Sequence, residues 1–187
     1  MPNIPVGQER LLRLTPDHVI KPFDCDDQDL NDFLLQESKI FSSQLLAVTY
    51  VLENEDETIA FFSLLNDKIT IKDGSHAGIW AFLRNIFPFS NELKSFPAVK
   101  IGRLAVNKKH KHTGVGTSII SFLIDSFLTK NKTGCRFITV DAYNRSLNFY
   151  EKNGFSFLTI KDNGKDTRLM YLDLLPYQSV ISDSVEL

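Results

Sequence analysis

The residues whose types and spacing could do chemistry cluster in two stretches, KHKHTGVGTSII (109–120) and NRSLNFYEKNGF (144–155). In the first, His110 and His112 stand two apart, a spacing that shares a face in a strand and not in a helix. No Cys, Asp or Glu lies near them to complete a coordination shell, so no metal is expected. A P-loop needs four residues between its glycines and then Lys-Ser/Thr, which is absent here. The dinucleotide fingerprint needs a third small residue where this chain has Ile119. What fits is a tight turn, with Gly114 and Gly116, that opens into a helix. The free N–H groups and partial positive charge of a first helical turn suit an anion such as phosphate.

Charge in the linear sequence supports this. Between Glu92 and Asp125 there is no acid, while Lys94, Lys100, Arg103, Lys108, Lys109 and Lys111 supply six cations. Lysines that merely solvate a turn are the plain alternative. The coincidence of glycines, helix start and one-signed charge favours a phosphate-binding turn. In the second stretch, Tyr150 has two readings: a phenol with a pKa near 10 that stays protonated and can donate at neutral pH, or a core aromatic packed by Phe149 and Phe155.

These residues need elements to hold them. AVKIGRLAV (98–106) reads as a strand, GVGTSIISFLIDSFLTKN (114–131) as a helix with a broad apolar face, and GCRFITVDA (134–142) as a second strand. Strand, helix, strand in this span is a βαβ unit with a right-handed crossover and parallel strands. NRSLNFYEKN reads as a short helix ended by Gly154. FSFLTI, a KDNGKD turn and TRLMYLDL form a closing hairpin. Upstream, RLLRLT is strand-like, and a helix capped by Asp26 or Asp27 carries Leu30, Phe33 and Leu34. AVTYVLENEDETIAFFSLLND reads as a hairpin turning at Glu53–Glu57. GIWAFLRNIF reads as a short helix, followed by a loop between Pro88 and Pro97. The sum is one α/β (α+β) domain over 1–187 with a mixed sheet and a loose tail over 175–187.

Whole-chain properties narrow the class. A chain of 187 residues with 43% hydrophobic content and 24% charge fits one globular domain. A net charge of −2 argues against a surface built to coat nucleic acid. Cys25 and Cys135 are far apart and read as reduced thiols. No signal-like or membrane-length apolar run is present, so a cytoplasmic protein with no membrane partner is the expectation.

The two motif stretches together resemble the GNAT family of N-acetyltransferases. IGRLAVNKKHKHTGVGTSII is similar to the acetyl-CoA-binding motif, Q/R-x-x-G-x-G/A after a Leu-Ala-Val-like strand, with Lys111 at the Gln/Arg position. NRSLNFYEKNGF is similar to A-x-x-F-Y-E-K-x-G-F. The N-terminal half looks like the branch containing toxins that acetylate aminoacyl-tRNA.

The resemblance implies a GNAT-type mixed, mostly antiparallel central sheet with a parallel βαβ core and helices on both faces. It implies acetyl-CoA as co-substrate and transfer of its acetyl group to a primary amine by direct attack. Lys111, His112, Thr113, Gly114, Val115, Gly116 and Thr117 would hold the diphosphate, and backbone groups of Leu104, Ala105 and Val106 the pantetheine amides. Tyr150 would protonate the leaving thiolate. Asn144 would contact the cofactor or cap the following helix. Arg103 and Asp141 are candidates for the acceptor side, with segments 28–45 and 66–98, and no general base is identified. The acceptor expected first is a small-molecule or peptide amine. Acetylation of tRNA is the second reading, disfavoured by the acidic balance, and a non-catalytic acyl-CoA-binding module is the third. Homodimerisation is left open.

Overall fold

The computed structural model of the chain describes residues 9–70, 95–130 and 133–182. Strands β1 (Arg10–Arg13), β2 (Val48–Glu53), β3 (Thr58–Thr70), β4 (Ser95–Val106), β5 (Phe137–Tyr143), β6 (Ser156–Phe157) and β7 (Thr167–Asp173) form one sheet in the order β1-β2-β3-β4-β5-β7-β6. The pairs β1–β2, β2–β3, β5–β7 and β6–β7 are antiparallel. Between β4 and β5 the direction is parallel. Arg136 N–H donates to the Pro97 carbonyl at 3.0 Å and Thr139 Oγ1 to the Val99 carbonyl at 3.4 Å, so the partners advance together. The mixed, mostly antiparallel α/β architecture expected from the sequence is the one observed.

The described residues form two compact units, one from the stretches up to 65 and over 101–126, the other from the stretches over 66–100 and from 127 onward. In the first, Leu14, Phe23, Phe33, Leu34, Val51, Phe61 and Ala105 make a continuous core. Asp27 caps α1 (Gln28–Asp32), its carboxylate accepting from Leu30 N–H at 3.3 Å. A π-helical turn, Phe33–Glu37, follows, and then α2 (Ser38–Ser43). The β2–β3 turn closes on Asn54, whose Oδ1 accepts from the N–H groups of Asp56 and Glu57 at 2.9 Å each. From Val115, α3 (Val115–Thr129) buries Val115, Ile119, Ile120 and Leu123. That is the 3.6-residue spacing of a one-faced helix.

The second unit has a core of Ile69, Phe96, Ala98, Phe137 and Leu158. A 3₁₀ turn over Asn144–Ser146 leads into α4 (Leu147–Lys152), which ends at Gly154 with φ +87°. Two expectations are corrected here. The residues after Leu174 do not begin as a loose tail: α5 (Leu175–Ser182) forms, anchored by buried Leu174 and by Tyr177, which closes on Gly154. Pro97 lies within β4 and does not mark a loop boundary, since β4 starts at Ser95. The short helix expected at GIWAFLRNIF and the loop at Pro88 lie outside the described residues. No helix among the described residues is long and apolar enough to cross a membrane.

Candidate active site

In the first unit, β4 delivers Arg103, Leu104, Ala105 and Val106 directly into the glycine turn. The strand ends at Asn107, a side chain the sequence reading passed over. Asn107 is buried; its N–H donates to the Ile59 carbonyl at 2.8 Å and its Nδ2 to the Thr58 carbonyl at 3.1 Å. Its Oδ1 accepts from Lys109 N–H at 3.2 Å and so starts the 3₁₀ turn Lys108–His110. An Asn placed between a strand and a basic run was the available signal, because such a side chain can satisfy a turn's N–H groups.

The turn then takes a left-handed step at His112 (φ +63°) and another at Gly114 (φ +90°). A Cβ on Gly114 would meet nothing within 4 Å, so this backbone is open to an approaching group. Thr113 Oγ1 donates to the His110 carbonyl at 2.7 Å, bracing the turn from within. Ser118 N–H donates to the Gly114 carbonyl at 3.0 Å as the first bond of α3, which leaves the N–H groups of Val115, Gly116 and Thr117 without partners inside the helix. Lys111, His112, Thr113, Gly114, Val115, Gly116 and Thr117 are thus together at one helix start.

The cations around the turn correct the one-signed reading. Lys108 donates to Asp24 at 2.7 Å, Lys111 to Asp26 at 2.9 Å and Lys109 to Glu57 at 2.7 Å. His110 Nε2 lies 3.0 Å from Glu57. The acids come from segments 24–26 and 57, more than fifty residues upstream, so the linear run could not reveal them. Lys108, followed by the N–H of Asp26 and by Asn31, holds the Asp24 carboxyl far below the ordinary carboxylate range. Lys109 and His110 likewise depress Glu57. Anion attraction at this turn therefore falls to backbone N–H groups and the helix dipole more than to lysine charge.

Arg103 is neither a free surface cation nor directed at solvent alone. Its guanidinium lies 5.2 Å over the Phe33 ring, Nη1 donates to the Gly102 carbonyl at 3.0 Å, and Nε stands 3.8 Å from Asp29. Gly102 itself leaves room for Leu65, whose Cδ2 would stand 2.6 Å from an added Cβ.

The second unit contains Asp141, Asn144 and Tyr150. Asp141 pairs with Lys100. The Asn144 amide donates to the Lys165 carbonyl at 2.8 Å and its N–H to the Asp166 carbonyl at 3.2 Å. It therefore ties the start of the helical segment to the turn before β7, and it stands at neither N-cap position: these are Tyr143 for the 3₁₀ turn and Ser146 for α4. Tyr150 is buried, with edge-on contacts to Phe149 at 5.0 Å and Phe155 at 5.2 Å. Burial pushes its phenol well above the ordinary value of 10, so the proton is firmly held at neutral pH. The packing fixes the ring of Tyr150 and keeps its hydroxyl protonated.

Among the described residues no group of three or more His, Cys, Asp or Glu side chains is placed to hold a metal ion. Both cysteines are free thiols.

A family model described as an acetyltransferase (GNAT) domain matches residues 46–157. No curated protein sequence gives a significant match. Among solved structures, a mutant of KacT superimposes with a TM-score of 0.76 at 17% identity, over 93% of this chain and 99% of that one. AtaT in complex with acetyl-methionyl-tRNA gives 0.74 at 16% identity, over 92% and 99%. A mutant AtaT toxin bound to the C-terminus of the antitoxin AtaR gives 0.72 at 17%, over 93% and 98%. At such identities the likeness establishes the fold.

Proposed function

Because the chain belongs to the GNAT acetyltransferase family and is an acetyl-CoA-dependent acetyltransferase, we propose that its acceptor is the α-amine of an aminoacyl-tRNA. One observation carries this reading: the likeness to KacT and AtaT covers 93% and 92% of this chain and 99% of each of theirs, and AtaT has been captured with acetyl-methionyl-tRNA. The net charge of −2 weighed against RNA. An acceptor gripped mainly at its single-stranded end needs few phosphate contacts, so an acidic total is compatible with it.

The residues fit the co-substrate. Gly114 opens the backbone, and the first-turn N–H groups of α3 from Val115 to Thr117 supply donors for a diphosphate. Lys111, His112 and Thr113 complete that turn, and the backbone of Leu104–Val106 would serve the pantetheine amides. When bound, acetyl-CoA supplies the activated thioester. Arg103, steadied on Phe33, and Asp141, steadied by Lys100, are the acceptor-side candidates. Asn144 serves the site by fixing the approach to α4, which carries Tyr150.

Tyr150 acts as the proton donor to the departing sulfur. In water, transfer from a phenol to a thiolate whose conjugate acid has a pKa near 8.5 is uphill, and burial of the phenol steepens it. The same desolvation raises thiolate basicity, so the hydroxyl hydrogen-bonds the sulfur as charge develops and yields its proton late, and the proton shed by the attacking amine returns through solvent to restore the phenol.

The test is thiol release from acetyl-CoA against a panel of aminoacyl-tRNAs, free amino acids, peptides and small amines. Labelled acetyl recovered on charged tRNA is the expected result. Turnover confined to small amines or peptides would replace this acceptor, and tight CoA binding with no turnover on any amine would favour a non-catalytic module.

A further inference from the structure

Asp24 is the knot of the first unit. Its carboxylate accepts from Lys108 Nζ at 2.7 Å, from Asp26 N–H at 2.9 Å and from Asn31 Nδ2 at 3.1 Å, and its carbonyl accepts from Lys108 N–H at 2.8 Å. Asn31, on α1, returns a bond through Oδ1, which accepts from Cys25 N–H at 3.0 Å. One side chain thus joins three pieces: the basic 3₁₀ turn that leads into the glycine turn, the left-handed bend at Asp26, and the helix beside Arg103 and Phe33. Asp26 adds a second strut, to Lys111.

An acid beside an anion-binding turn is unfavourable in charge terms. Neutralising it should release Lys108 and tighten anion binding, by up to about fivefold for a half-exposed pair. A carboxylate kept there despite that repulsion needs another reason, and the geometry provides one. Two of its four bonds grip Lys108, one by main chain and one by side chain, four residues ahead of His112.

We infer that Asp24 is a positioning residue for acetyl-CoA: it holds residues 108–114 in the register that aims the free N–H groups of Val115 to Thr117 at the start of α3, and fastens that turn to α1. The inference rests on the reading of the glycine turn as the cofactor's diphosphate seat. Its action passes through Lys108, so the two residues behave as one unit.

The experiment is calorimetric titration of CoA into the full chain, wild type, Asp24→Asn, Lys108→Met and the double variant, with thermal unfolding of each. Positioning predicts that Asp24→Asn weakens CoA binding about tenfold. Exposed Lys108→Met, which the fold tolerates more readily, should do the same, and the double variant should be no worse than either. It also predicts a raised KM for acetyl-CoA with kcat at saturation largely kept. Unchanged or tighter CoA binding in Asp24→Asn, or additive losses in the double variant, would overturn the role while leaving the diphosphate seat standing. Absence of CoA binding by the wild-type chain would overturn both.

Discussion

Lys111 and Asp26 meet at 2.9 Å, and each end of the pair is set by a left-handed backbone step, at Asp26 itself (φ +63°) and at His112 (φ +63°). Such steps are uncommon for residues other than glycine, and Asp and His are among the side chains that take them most often. The pairing means that the basic turn reaches any anion with its lysine charge already largely offset.

Salt should therefore matter little to cofactor affinity. The Kd for CoA is expected to rise by less than about threefold between roughly 0.05 and 0.3 M NaCl, because paired charges and helix N–H groups at contact are screened less than free exposed lysines. Calorimetry at several ionic strengths checks this. A steep dependence would mean that the lysines leave their acids when CoA binds.

Tyr150→Phe keeps the ring against Phe149 and Phe155 and removes only the hydroxyl. Turnover should fall roughly 10²- to 10⁴-fold with CoA affinity unchanged. Stability should change by less than about 1 kcal/mol.

The raised phenol pKa also carries a pH signature. The folded chain holds this proton more tightly than the unfolded one, so the associated stability is complete below the unfolded value near 10 and is lost as pH rises beyond it. Tyr171, raised by its own burial and then by Asp173, adds to the same alkaline loss. Denaturant melts between about pH 9 and 11 should show a shallower decline in Tyr150→Phe than in wild type.

Much of the frame was legible in advance. The periodicities of 98–106, 114–131 and 134–142 placed β4, α3 and β5, and Gly154 marked the end of α4. Asp27, one of the two caps expected, does cap α1, while Asp26 is drawn away to Lys111. Misread were features decided by distant partners. The charge balance around 108–111 depends on acids at 24, 26 and 57, and the helix after Leu174 on Tyr177 meeting Gly154. Local pattern holds no record of such long-range pairs.

The closing hairpin offers a stability test. Burial pushes the Asp162 carboxyl up, yet the Leu169 N–H and the Arg168 guanidinium outweigh that and hold it below its ordinary value. Arg168 donates to it at 2.8 Å and also lies 4.4 Å over the Phe157 ring. Arg168→Ala leaves a largely buried carboxylate without its cation, held by the Leu169 N–H, and is expected to lower stability by about 3 kcal/mol, read as a drop in the urea midpoint.

Gly154→Ala should cost about 1–3 kcal/mol, from the unfavourable φ and from a Cβ that would stand 2.6 Å from the Tyr177 hydroxyl. Pairing it with Tyr177→Phe should recover the steric part alone, a partial rescue visible in thermal melts.

The wide turn at Phe33–Glu37 works as a phase shifter. Its i→i+5 bonds accommodate one residue more than a regular helix would, so Leu34 and Ser38 stay inward while Ile40 and Phe41 come out toward solvent. Removing one residue there would let an ordinary α-helix run through and would rotate everything downstream to Ser43 by about 100°. The side chains that α2 presents on its outer side are thus chosen by a single surplus residue, and a one-codon deletion could redraw that surface without touching the sheet.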